Sequence, residues 1–463
     1  MARERNTEQK RRKTPPRSLF QSAPAQVMAP RLMVILSTLA LLAIGLVMVY
    51  SSSSITSYVE EGDALGETLK QCVFALLGIG IAVFVALVAK QDAMQGTPGV
   101  VFWALCCVLI LVTALLGTVG LGAKRWLIIG PISIQISEFA KIAFVMMAAR
   151  IAAQYREGEI DSGFAAKLAI GMVILPLGFV FIAQSDMGTT MICCIGLFSV
   201  VVLSGLSGRA TAVLVGLGIV FGFIAVLSKS YRADRLGSFA DPWADAQGTG
   251  YQLVHSFQAL ASGGFLGAGI GNSYEKLQYL PEAETDFIFA IIGEELGLVG
   301  ALLVIVAFLV FMRGGFLIAS QASTPFGSLL AAGLTVMIVF QAFLNISCVV
   351  GLFPTTGKPL PFISSGGSSL LSSLVLVGVL LSISFDSNNE GEYRQRRDNL
   401  QVVSRVSSSD RSGRSGRNLE GRDARAHRSS SLERDGYPSL RIVRGSKAPA
   451  YATEVRTTRT QRR

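Results

Sequence analysis

LPEAETDFIFAIIGEE, residues 280–295, runs from a polar loop straight into an apolar helix and carries Asp286, Glu294 and Glu295 with it. A charged side chain at mid-membrane costs about 2.5–3.5 kcal/mol on insertion scales, so an acid inside an apolar helix implies partners, water or function. Asp286 stands at the boundary, where half-desolvation would raise its pKa toward the range of a general base. Its position also allows the blander role of capping the helix that follows. Glu294 lies eight residues further on, about 12 Å deeper by helical rise, a depth that suits the buried partner of a cation.

Outward from this stretch the chain is a series of apolar runs. Of the 463 residues, 51% are hydrophobic and 16% charged, which excludes a soluble globular domain. Ten runs are long enough to span a bilayer as helices: 31–53, 69–89, 98–117, 137–155, 165–183, 187–205, 210–228, 286–312, 326–350 and 366–385. Strands of a membrane barrel would be shorter and strictly alternating. The expected fold is an all-α integral membrane bundle of about ten transmembrane helices with disordered tails. The first run is too long for a secretory signal and lacks a small-residue cleavage site, so it is expected to remain as an anchor.

Residues 1–31 hold eight Lys and Arg against two acids, and residues 386–463 hold eighteen against ten. The positive-inside rule therefore places both termini in the cytoplasm, as an even number of spans requires. The organisation read from this is a basic tail over 1–30, a membrane domain over 31–385 with a large external loop at 229–285, and a basic tail over 386–463. The tails are too polar to bury a core, and their charge suits anionic lipid head groups rather than nucleic acid. The six cysteines lie in or beside apolar runs without metal or redox spacing, and two histidines make a His-based metal site improbable.

The parity of spans gathers four polar clusters on one outer face: 122–126 (GAKRW), 184–190 (QSDMGTT), 229–285 and 351–369. Lys124 and Arg125 beside Trp126 form either a clamp on a phosphate or a pair of snorkelling cations. Arg232, Arg235 and Lys358 add cations to the same side. Glu138 and Lys141, spaced i,i+3, are placed for a structural ion pair. Asp186 either binds a sugar hydroxyl or caps the next helix. Gln252 and Ser256 are uncharged groups suited to a polyhydroxylated ligand, while Gly267, Gly269 and Gly271 suit a tight re-entrant turn. No strand precedes those glycines, which rules out a dinucleotide loop. Ser364 and Ser368 supply hydroxyls in a Gly- and Pro-broken segment of the kind that lines polar cavities.

These motifs resemble the SEDS family (shape, elongation, division and sporulation) of cell-wall polymerases. The resemblance covers residues 31–385 and rests on YLPEAETDFIFAIIGEELGLVG (279–300), GYQLVHSFQALASGG (250–264) and PTTGKPLPFISSGGSSLL (354–371), with GAKRW, SEFAK and QSDMGT in support. The wording of 276–297 is more like the division branch than the elongation branch. The resemblance implies polymerisation of lipid II at the outer face of the bacterial cytoplasmic membrane, at the division septum. It puts the family's essential aspartate on Asp286, its basic clamp on Lys124 and Arg125, its loop lysine on Lys358 and its motif glutamates on Glu294 and Glu295. It also implies a class B penicillin-binding transpeptidase and other divisome proteins as partners. Three positions depart from the family pattern: Glu284 for histidine, Ser185 for proline and Ser365 for tyrosine. The acid at 284 is expected to raise the pKa of Asp286 by repulsion.

The expected activity is therefore peptidoglycan glycosyl transfer with undecaprenyl diphosphate as leaving group. A divalent cation, Mg or Mn, is compatible with the pyrophosphate, although the sequence shows no dedicated cage. Two other classes compete. A lipid II flippase would need Glu138, Lys141, Arg150, Glu294 and Glu295 on one route through the bundle. A non-catalytic scaffold would act through its basic C-terminal tail. The same polymerase chemistry in an elongation role is a further alternative.

Overall fold

The computed structural model describes residues 25–120, 123–130, 132–206, 216 and 230–387. The expected span 210–228, apart from residue 216, and the expected tails lie outside them, except that residues 386–387 are described and residues 25–30, read as tail, are helical as the first turns of the first helix. Among the described residues eleven helices longer than ten residues carry the fold: α1 (Ala25–Glu61), α2 (Gly66–Val88), α3 (Thr97–Leu116), α4 (Ile136–Arg156), α5 (Ser162–Ala183), α6 (Met187–Leu203), α7 (Ser230–Ala240), α8 (Tyr251–Gly263), α9 (Ile288–Gln321), α10 (Pro325–Val349) and α11 (Gly367–Phe385). Seven of these are long and apolar enough to cross a membrane, and α6 is a shorter apolar helix. Together with α4 they account for nine of the ten expected spans, so the chain is a multi-pass membrane protein. α4 has the length of a span but carries Glu138, Lys141, Arg150 and Arg156.

The helices are ordered by what they bury. The most apolar stretches of α10 and α11 are 83% buried and form the centre, whereas that of α3 is 22% buried and faces outward. Helix ends follow local chemistry. Thr324 caps α10 by accepting a hydrogen bond from the Gly327 amide at 3.0 Å, and Pro325 occupies the first turn, where its missing N–H costs nothing. At the far end of the bundle, buried Arg31 ties α1 to α11. It donates to Ser384 Oγ (2.8 Å) and Ser384 O (2.7 Å) and lies over the Phe385 ring.

One segment departs from the all-helical expectation. Three short strands, β1 (Thr118–Gly120), β2 (Ala123–Ile129) and β3 (Ile132–Ile134), form an antiparallel sheet. Alternation along AKRWLII satisfies a strand as well as an interfacial loop, and Gly130, at φ 62°, supplies the turn into β3.

α9 is broken nine residues in, at Gly297 (φ 66°, ψ −166°). The freed backbone pairs with the segment after α8: Leu298 donates to Gly264 O (3.0 Å), Ala268 to Glu294 O (2.9 Å) and Gly269 to Glu295 O (3.0 Å). Gly267, Gly269 and Gly271 all have positive φ, as a tight turn requires. A Cβ on Gly297 would collide with Gly267 N, and one on Gly267 with Glu295 O. Gly297→Ala should therefore sharply lower the folded yield and Tm in detergent, by strain of about 1–3 kcal/mol plus the collision. Gly80→Ala on α2, which meets open space, should cost nothing. Equal melting temperatures for the two variants would contradict this account of the break.

Candidate active site at one end of the bundle

The loops 118–134, 184–186 and 351–366, helix α7 and the start of α9 meet at one end of the bundle. Asp286 ends the turn before α9, and the helix N-cap is Phe287, without a side-chain cap. The capping alternative for Asp286 is thus excluded. Its main-chain carbonyl accepts a hydrogen bond from Asn345 Nδ2 at 2.7 Å. Among the described residues nothing donates to its half-buried carboxylate. Gly357 (φ 67°) lies over that carboxylate: a Cβ there would sit 3.4 Å from Asp286 Oδ2 and 3.9 Å from Arg235 Nη1. Burial pushes the Asp286 pKa up to about 6, with Glu282 adding to the rise and Lys358 and Arg235 opposing it. The repelling acid is therefore Glu282 rather than the expected Glu284, whose carbonyl instead accepts from the Ser365 amide (2.9 Å).

The cations are distributed differently from a single clamp. Lys124 and Arg125 are neighbours on β2, so their side chains leave opposite faces. Lys124 Nζ donates to Leu115 O (2.9 Å), whereas Arg125 donates to Gln184 O (2.9 Å) and Ser185 O (2.8 Å). Arg235, on α7, donates to Thr355 O at 2.5 Å beside Asp286. The side chain of Arg232 lies outside the described residues.

Lys358 is buried and committed to acids. Its Nζ lies 3.1 Å from Asp186, 3.6 Å from Glu138 and 2.5 Å from Thr189 Oγ1. Burial alone would lower its pKa, but Asp186 and Glu138 outweigh that and hold it above its ordinary value. Asp186 is held well below the usual carboxylate range in spite of burial, by Lys358, Arg125 and the Thr189 amide. Asp186 also caps α6 through that amide (3.1 Å) and receives Gln135 Nε2 at 2.8 Å. Beneath it, Lys141 pairs with Glu138 (2.9 Å) and donates to Gln341 Oε1 (2.8 Å).

Other expected contacts are redirected. Glu295, not Glu294, takes the cation: Lys276 Nζ lies 3.0 Å from its carboxylate, which also accepts from Ser51 Oγ at 2.7 Å. Glu294 instead accepts from the Ser273 hydroxyl and the Tyr274 amide, because the break at Gly297 brings the 264–276 turn against this part of α9. Ser256 is fully buried, with its hydroxyl donated to Val349 O (2.8 Å), so it packs α8 on α10 and does not face a ligand. Gln252 is half-buried on α8. Ser364 Oγ donates to Thr285 O (2.6 Å), and Ser368 Oγ accepts from the Gln135 amide (3.0 Å), so both staple loops together. Of the residues invoked for a transbilayer route, Glu138 pairs with Lys141, Glu295 pairs with Lys276, Glu294 is bound to backbone and hydroxyl beside that second pair, and Arg150, further along α4, joins neither, its Nη1 buried without a partner among the described residues. Among the described residues no three His, Cys, Asp or Glu side chains converge as a metal cage.

Residues that sequence reading missed lie on α10, where Gln341, Asn345 and Cys348 face the 354–359 loop. Their signal was polar spacing at i, i+4 and i+7 inside an apolar helix (QAFLNISC).

Known proteins share this architecture. The model of the FtsW/RodA/SpoVE family, described as "Cell cycle protein", matches residues 31–389. A probable peptidoglycan glycosyltransferase FtsW of Synechocystis is 38% identical over 352 residues, 75% of this chain and 88% of the relative. Stage V sporulation protein E of Bacillus subtilis is 37% identical over 364 residues, 77% of this chain and 97% of the relative. A chain of a peptidoglycan synthase complex that coordinates polymerization and crosslinking superposes with a TM-score of 0.61 at 24% identity, over 76% of this chain and 97% of that one. The chain belongs to the FtsW/RodA/SpoVE family of cell cycle proteins.

Proposed function

We infer that the chain is a division-type peptidoglycan glycosyltransferase that polymerises lipid II, with Asp286 as its general base. The observation that carries the reading is the Asp286 carboxylate, half-buried, without a hydrogen-bond donor among the described residues and flanked by Arg235. Asp286 takes the proton of the acceptor sugar hydroxyl. The oxygen then attacks the anomeric carbon of the donor, and the bond from that carbon to the pyrophosphate oxygen breaks. Undecaprenyl pyrophosphate leaves with the electron pair. The cations that would offset its charge are Arg235, beside Asp286, and Lys124 and Arg125 on β2, each of which also donates to a main-chain carbonyl, whereas Lys358 is engaged with buried acids. Both termini then lie in the cytoplasm, and the site faces outward from the cytoplasmic membrane. A class B transpeptidase, as the family resemblance implies, would crosslink the strands at the septum.

The test is a gel assay of glycan strands made from purified lipid II, with the transpeptidase partner present and its active-site serine blocked. Long glycans are expected. Translocation of lipid II across vesicles without polymer would instead support a flippase.

A further inference from the structure

We propose that Asn345 is a positioning residue of the reaction, which sets the separation between Asp286 and the Gly357–Lys358 loop. The proposal rests on the glycosyltransferase reading above. Asn345 is buried on α10 and spends both amide protons on main-chain carbonyls: Asp286 O at 2.7 Å and Lys358 O at 2.9 Å. It thus joins two loops that lie on either side of it in the chain. Its Oδ1 is buried without a partner among the described residues.

Neighbours on the same face extend the grip. One turn earlier, Gln341 Nε2 donates to Pro359 O (3.0 Å) while its Oε1 receives Lys141. Three residues later, Cys348 Sγ donates to Pro354 O (3.1 Å). α10 therefore reads three carbonyls of the 354–359 loop and one of the Asp286 turn. Only Asn345 binds both. Main-chain anchoring leaves the Asp286 carboxylate free to meet a substrate while its place beneath Gly357 stays fixed.

The test is Asn345→Ala in the full chain with its blocked transpeptidase partner, normalised to folded protein. The expected kcat is about 10- to 100-fold lower, the size of effect that misplacement of a reacting group by about 1 Å produces, with KM for lipid II nearly unchanged. The acid limb of the rate profile should also move. Asp286 is faced by Glu282 from its own turn, Arg235 from α7, Lys358 from the loop and the Cys348 thiol from α10. Loosening the loop hydrates the carboxylate, so the limb should fall from about 6 toward about 4. Amide exchange in peptides 280–287 and 354–360 should quicken together.

A loss that scales with unfolded protein, with limb and exchange in place, would show Asn345 to be merely structural and sink the proposal. If Asn345→Ala fails to accumulate, Asn345→Ser, which keeps one donor, decides by the same limb and exchange readouts. Wild type without polymer would overturn the glycosyltransferase reading, while the exchange comparison would still judge the clamp.

Discussion

Asp286→Asn should reach the membrane at wild-type level and make no detectable glycan, a loss of about 10²–10⁴-fold or more. Folding should survive because the turn is held through the Asp286 carbonyl, which the substitution leaves on Asn345. The amide has nearly the shape of the acid and cannot take a proton from a sugar hydroxyl. The sign of the pH dependence adds a second check. A carboxylate raised to about 6 favours the fold below its unfolded value of about 3.9, and that contribution is lost as pH rises through 6. Asp286→Asn should therefore be at least as stable as wild type at pH 8, and the wild-type rate should fall as pH drops through about 6. A variant that polymerises normally would remove Asp286 from the chemistry. One that fails to fold would assign it a structural role.

Much of the membrane body was legible because a span is a composition, not a contact. Nine of the ten apolar runs form helices among the described residues; seven keep close to the ends that hydropathy marks, while α1 overruns its run by six residues at the start and eight at the end, and α9 runs nine residues past its own. The sheet at 118–134 was not legible that way, since Trp126, Leu127, Ile128 and Ile129 count equally toward strand and membrane edge. Had the strand been read, the opposite faces of Lys124 and Arg125 would have followed. The break in α9 depends on Gly264 and Ala268, about thirty residues before Gly297, so a lone glycine in LGLVG does not announce it. At the site, the kinds of charge were visible while their partners were not. Lys358 and Asp186 are 172 residues apart, and only folding shows that the lysine is consumed. Both glutamates of GEE were visible, but adjacent positions on a helix diverge by about 100°, so one met Lys276 and the other a backbone amide.

Breaking the buried pair at Lys358 should have the largest effect on stability. Lys358→Met keeps an unbranched stem against Gly188, where a Cβ would lie 2.6 Å from Lys358 Cγ, but it leaves Asp186 and Glu138 without their shared cation. Removing one partner of a buried pair costs about 3–5 kcal/mol, enough to deplete folded protein and lower Tm steeply. Asp186 has a depressed pKa, so its contribution is full above about 3.9 and lost as pH falls; Lys358 has a raised one, so its contribution is full below about 10.4 and lost above. The deficit should thus be flat from about pH 5 to 9. Adding Asp186→Asn should restore much of the fold, since an amide oxygen can still accept from the Thr189 amide and Glu138 keeps Lys141 at 2.9 Å. The refolded double variant then separates two roles for the lysine. If it only neutralises buried acids, polymerisation returns with the fold. If it also meets the pyrophosphate, the double variant melts like wild type and makes no glycan, and Lys358 joins the cations proposed for the leaving group.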